Sequence, residues 1–195
     1  MKIAIVLSVV LLGGYWVFQQ NSVGKSDIYV DRLVYLKNDN ILFTGTLEVE
    51  GKASYYSQPF CNGIPCGEWY EHQNGGGIIH KGKYLDKNIL SESTHELFAT
   101  DTFLINHWQE GELPTIKYPP YLTIFILKDD AFFQVDIKQY GNIFTEIANA
   151  VMNDTHGLKY DYLTISFGTS VFETSKCYAK EYKLVRGELQ EMQRE

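Results

Sequence analysis

The sequence is short of the residues that most often announce a specialised chemistry. Its 195 positions hold three cysteines, five histidines and five prolines. Three cysteines allow one internal bridge and leave a thiol over, which excludes a disulfide-dense scaffold. Acidic residues (24) outnumber basic ones (17), and the formal charge is -7. No basic block offsets that acidity, so binding to nucleic acid has no electrostatic footing.

Complete catalytic and cofactor motifs are missing as well. "GIIHKGK" (Gly77 to Lys83) matches the outline of a phosphate loop, but Tyr84 stands where a magnesium-holding hydroxyl belongs, and the interior is strand-like. "HELFA" opens like a zincin helix and fails at Ala99. "GTSVF" around Ser170 lacks the second glycine of a nucleophile elbow. Asp129 and Asp130 are neighbours at a turn, where carboxylates are solvated rather than aimed into one cleft. His72, His80, His95, His107 and His156 share no short spacing. No cofactor or metal is implied, and no catalytic residue is assigned.

What the chain does have is apolar and aromatic bulk. Hydrophobic residues make up 45%, with 14 tyrosines and 11 phenylalanines. That is enough for a packed core, and its aromatic and β-branched richness favours strands.

The N-terminus begins with Met1 and Lys2, followed by "IAIVLSVVLLGGYWVF", an uncharged run over residues 3–18. Its length lies between that of a signal peptide's apolar region and a short membrane span. Lys2 orients the N-terminus inward, and Tyr15 and Trp16 suit an interface. No small-x-small cleavage site is clear beyond Ser22 and Gly24, and no cysteine follows the run to carry a lipid. Residues 1–24 are therefore expected to be an inner-membrane anchor, with a cleaved signal as the alternative and a buried helix as the plain one. Either of the first two places the remainder outside the cytoplasm, tethered to the inner membrane or, after cleavage, secreted or periplasmic.

Beyond "QQNSVGKSD", a polar linker, two short apolar runs flank "KNDN" and predict a hairpin. "ASYYSQPF", "GEWYEHQ" and "IIHKGKYL" read as further strands, separated by "NGIP" and "NGGG" turns. A short helix is expected near Thr94 to Ala99. "YLTIFIL" and "AFFQVDI" predict a hairpin around "KDD". Ile143, Ile147 and Val151 recur at helical spacing and predict a helix over 143–153. "YDYLTISFG" and "SKCYAKEYKLV" read as two more strands, and "RGELQEMQRE" as a frayed charged tail. A boundary is expected near residues 88–95.

Cys61 and Cys66 flank a four-residue turn. With His72 and His80 they spell C-x4-C-x5-H-x7-H, which matches no common zinc spacing. In an oxidising compartment the pair is expected to bridge the hairpin, the alternative being two reduced, buried thiols. Cys177 is then a small buried hydrophobe.

Residues 33–88 resemble the MORN-like repeats of the YwqK family of bacterial proteins, described as antitoxin-like. The resemblance rests on Asn62-Gly63, Gly67-Glu68-Trp69, Tyr70, Asn74-Gly75 and Gly82-Lys83-Tyr84. It covers under a third of the chain, about two repeats, and the cysteine pair departs from the pattern. It implies tight glycine turns between hairpins, with Trp69 filling an interface, and no catalytic set. The expected class is α+β, mainly β. Residues 1–24 are the membrane segment, 28–88 a MORN-like hairpin meander, and 95–187 an antiparallel sheet with one helix.

Three functions compete. The first is an exported protein that binds a protein partner, in its sharpest form an immunity or antitoxin-like protein capturing a toxin. Tyr55, Tyr56, Tyr70 and Tyr84 are its expected contacts, since tyrosine supplies rigid, amphipathic surface. The second is a structural envelope protein. The third is a hydrolase using His95, His107 and Asp101 from the second half.

Overall fold

The computed structural model describes residues 22–100, 102–110, 119–171 and 176–192. The apolar run at 3–18 lies outside them. Among the described residues, no helix is long and apolar enough to cross a membrane.

Eleven strands form one large, mostly antiparallel sheet. In chain order the strands are β1 (Ser22–Gly24), β2 (Ile28–Asp31), β3 (Leu33–Leu36), β4 (Gly45–Glu50), β5 (Ser54–Cys61), β6 (Ile64–Pro65), β7 (Glu68–Gln73), β8 (Ile78–Tyr84), β9 (Phe103–Glu110), β10 (Tyr121–Leu127), β11 (Tyr162–Gly168), β12 (Cys177–Val185) and β13 (Glu188–Glu191). Among the described residues two α-helices join them, α1 (Glu92–Phe98) and α2 (Gly141–Asp154). Across the large sheet the order is β1-β4-β5-β7-β8-β9-β10-β11-β12-β13, with β6 paired to β5. β2 and β3 form a separate two-stranded sheet.

Both predicted helices are present. Ser91 caps α1 by accepting from the Thr94 amide, and α2 buries Phe144, Ile147, Ala148 and Val151. Both pack on one face of β9–β12. There Phe103 and Ile105, Leu122 to Ile126, and Leu163 to Phe167 supply every second residue to the larger core. The opposite face bears a second core, in which Leu47, Phe60, Leu104 and Leu127 meet Ile28 and Val34 of the small sheet. Strands β9 and β10 thus carry a core on each face, and among the described residues no helix lies over β5, β7 or β8.

The structure departs from the sequence reading in several places. Pairing of β8 with β9 carries the sheet across the region near residues 88–95. The expected linker contains β1, which runs parallel to β4. "AFFQVDI" is not a strand. The Asp129 carboxylate accepts from the Phe132 amide at 3.1 Å and starts a tight 3-10 turn. That turn sends Phe132 against Phe167 and Tyr140. Strand β10 consequently pairs in parallel with β11, and α2 lies between them in the chain. The wholly antiparallel second half is corrected accordingly, as is its single helix, since α1 is a separate element. The charged tail is not frayed over its first part. Arg186 and Gly187, at φ 55° and 83°, form a two-residue turn that returns β13 onto β12.

Candidate functional site

The segment around Cys61 and Cys66 is a hairpin of β5 and β6, turning at Asn62 and Gly63 with φ of 51° and 74°. The two sulfurs lie 1.98 Å apart, at bonding distance. The turn is also a joint. Gly63 donates its N–H to the Phe43 carbonyl at 2.7 Å, and its own carbonyl accepts from Val34 at 3.0 Å. A Cβ on Gly63 would come within 2.7 Å of the Val34 oxygen, so only glycine fits. The stapled tip thereby holds the small sheet onto the large one. Cys177, expected to be shielded, is exposed. Its cross-strand neighbour is Gly168, which offers no side chain to cover it.

Strand register sorts the remaining side chains of β5–β9 onto two faces. On the face opposite the helices, Trp69 is 8% exposed and lies across Gly82. Its Nε1–H donates to Asn106 Oδ1 at 2.9 Å. Tyr56 packs against Trp69 at 5.4 Å. Burial raises the Tyr56 hydroxyl far above the usual phenol range, helped by Tyr84 and Glu71; burial pushes Tyr84 up to about 12. Both therefore act in packing. Further along this face, Trp108 stacks on Tyr121 at 4.5 Å, and Tyr121 on Tyr162 at 4.9 Å. His80 meets Trp108 edge-on at one end, and Lys183 Nζ lies over Tyr162 at the other. Rings that stack on each other have spent their flat faces. This ladder clamps four strands and leaves no open platform for a planar ligand.

Beside the ladder, His80 Nδ1 and Glu71 Oε2 are 2.7 Å apart, and Ser54 Oγ donates to Glu71 Oε1 at 2.8 Å. Partial burial raises the Glu71 carboxyl, but the bonds from His80 and Ser54 outweigh it and leave it below the usual range. The serine bonds the carboxylate and not the imidazole. The three residues therefore do not form a nucleophile–base relay.

The hydrolytic candidates are not brought together. His95 Nε2 donates to the Lys87 carbonyl at 3.0 Å and His107 Nε2 to the Lys159 carbonyl at 2.9 Å. A carbonyl only accepts, so each ring is fixed as a tether. Asp101 lies outside the described residues. Among the described residues, no group of three or more His, Cys, Asp or Glu is placed to hold a metal.

The helix-side face of β5–β9 is different. The helices cover it only from β9 onward, and Tyr55, Tyr70 and His72 stand together on the uncovered part. Tyr55 stacks flat on His72 at 4.5 Å, and Tyr70 lies 5.9 Å from the same imidazole. Tyr55 is 37% exposed, among the most exposed large apolar side chains described. Tyr70 donates to Glu68 at 2.6 Å, a bond that raises its hydroxyl pKa. Next to this cluster is an open hollow of about 450 Å³ lined by Glu68, Tyr70, Lys81, Lys83, His107 and Gln109. Of the four expected contact tyrosines, Tyr55 and Tyr70 reach this face, whereas Tyr56 and Tyr84 point away from it. Sequence reasoning did not count His72, Lys81 and Lys83 among the partner contacts, although their alternation with Tyr70 along β7 and β8 was the available signal. No family model, curated protein or solved structure matches the chain.

Proposed function

We propose that the chain is an exported bacterial protein, anchored in the inner membrane through residues 3–18, whose folded part binds a protein partner and catalyses nothing. The observation that carries this reading is the cluster of Tyr55, Tyr70 and His72 on sheet surface that neither described helix covers. Stacked aromatic rings beside a polar hollow supply contact area at low entropic cost. The tethering of His95 and His107 to backbone carbonyls weighs against the hydrolase alternative. The MORN-like resemblance of residues 33–88 suggests the cellular setting, an immunity or antitoxin-like role in the periplasm.

Changing Tyr55 and Tyr70 together to alanine is expected to abolish partner capture while leaving the thermal melt within a few degrees of the parent. In the immunity setting, deleting the gene is lethal only in cells that meet the cognate toxin. The reading fails if the purified protein turns over an ester, peptide or glycan and loses that activity when His95 or His107 is replaced.

A further inference from the structure

On the uncovered face an acidic pair and a basic pair stand on different strands, with Glu68 of β7 set directly across from Lys83. Glu48 and Glu50 project from β4 on one side, and Lys81 and Lys83 from β8 on the other. Tyr55, Ser57, Tyr70 and His72 fill β5 and β7 between them. Pairing sets Glu48, Ser57, Tyr70 and Lys81 in one row across the sheet. Glu50, Tyr55 and His72 form the next row. None of the four charged residues is in an ion pair with another described residue. Glu68 also faces the hollow, but it accepts the Tyr70 hydroxyl, and the two lysines leave that side positive.

Three strand spacings of about 4.8 Å separate Glu48 from Lys81 by about 14 Å, beyond a Debye length in physiological salt. Within one chain the two pairs do not neutralise each other. A two-fold axis running along the strands, between β5 and β7, reverses their order while keeping each residue in its row. Glu48 then opposes Lys81 of a second copy, Lys81 opposes Glu48, and Ser57 meets Tyr70 at the centre. We propose that this face binds a second copy of the chain, in an isologous dimer with an aromatic centre and oppositely charged flanks.

This inference rests on the reading that the uncovered face binds protein, and it names that protein. Four strands by four residues give roughly 260 Å² per copy. That is small for a stable complex and implies weak, transient association in solution, strengthened in effect when both copies share one membrane.

The test uses the full chain in bicelles, carrying Cys177→Ser so that only introduced thiols react. Glu48→Cys and Lys81→Cys are made separately, mixed, and treated with a short bis-maleimide. The mixture is expected to give at least ten times more covalent dimer than either variant alone. Equal linking by Lys81→Cys alone, or none in the mixture, overturns the proposal. In sedimentation, Glu48→Lys should weaken association at least tenfold, as should Lys81→Glu. The two reversals combined should restore it to within about threefold, and a failure to restore refutes the pairing. A photo-crosslinking benzoyl-phenylalanine at Tyr55 in cells separates the two levels of the argument. Self-adducts support the dimer. Adducts with another protein alone refute the dimer but keep the protein-binding reading, and no protein adduct refutes both.

Discussion

Gly82→Ala is the sharpest single perturbation of the sheet. The glycine lies in β8 and its backbone is not in the left-handed region, so alanine brings no conformational strain of its own. Its cost is steric. A Cβ there would sit 2.3 Å from Trp69 Nε1 and 2.4 Å from Cε2, well inside contact distance. The indole is buried between Tyr56 and Asn106 and has no slack to absorb such an overlap. It must swing away, which breaks the Nε1–Asn106 bond, worth about 1 kcal/mol. Overpacking adds about 1–3 kcal/mol. The expected loss is therefore about 2–4 kcal/mol, a fall in Tm of roughly 5–15 °C for a domain of this size.

Urea unfolding followed by circular dichroism measures the loss, and tryptophan fluorescence reports movement of the indole. Gly157→Ala is the control, because a Cβ there meets nothing within 4 Å and the backbone φ is ordinary. It should be neutral or gain up to about 1 kcal/mol. In a Trp69→Ala background, Gly82→Ala should add less than about 0.5 kcal/mol, since the clash has been removed. If Gly82→Ala alone stays within 0.5 kcal/mol of the parent, or if its cost persists without Trp69, the account of this joint is wrong.

Asp154 should matter in a narrow pH window. Its Oδ2 accepts from the Ser91 amide, the Ser91 hydroxyl and the Thr94 hydroxyl at 2.8, 3.0 and 2.6 Å, tying the end of α2 to the start of α1. Partial burial raises this carboxyl, but those bonds and nearby His95 outweigh it and hold it below the usual range. Stability gained from Asp154 is thus complete above the unfolded value of about 4 and lost as pH falls through the lower folded value. Asp154→Asn should cost about 1–2 kcal/mol at pH 7, by denaturant titration, and the difference should close below about pH 4. For the cysteines, alkylating unreduced, folded protein should label Cys177 alone, by mass spectrometry; three labelled thiols would contradict the bridge. Replacing Cys61 and Cys66 with serine should cost no more than about 2 kcal/mol, because the loop is short. It should also speed amide exchange at Gly63 and Val34, which the stapled tip holds together.

Local signals in the sequence located elements well and their partners poorly. The helix over Gly141–Asp154 was legible because Ile143, Ile147 and Val151 repeat at 3.6-residue spacing. The turns at Asn62-Gly63 and Gly75 to Gly77 were legible because they demand positive φ. Strand β9 was not, since Phe103, Leu104 and Ile105 are all apolar: the strand serves a core on each face and shows no alternation there. Strand β13 was hidden by charge, and only Leu189 packs against the helix-side core. The "AFFQVDI" error has the same origin. Apolar density alone does not separate a strand from a 3-10 turn that lays two phenylalanines over a core edge.

The candidate site shows why tyrosine content was an incomplete guide. Tyr55 and Tyr56 are consecutive in one strand, so the pleat must send them to opposite faces. Counting tyrosines therefore mixes two roles that alternate by construction. Which face is which depends on where the helices pack, and that is decided by Ile105, Leu122 and Leu163, far along the chain. Tyr56 and Tyr84 lie on the side of Trp69 and the second core, where burial suppresses their ionisation. Tyr55 and Tyr70 lie on the helix side but beyond the helices' reach, and so remain available to another molecule. Their availability follows from helix length and placement. α2 has 14 residues, about 21 Å, and packs over β11, so it does not reach the strands from β8 to β4.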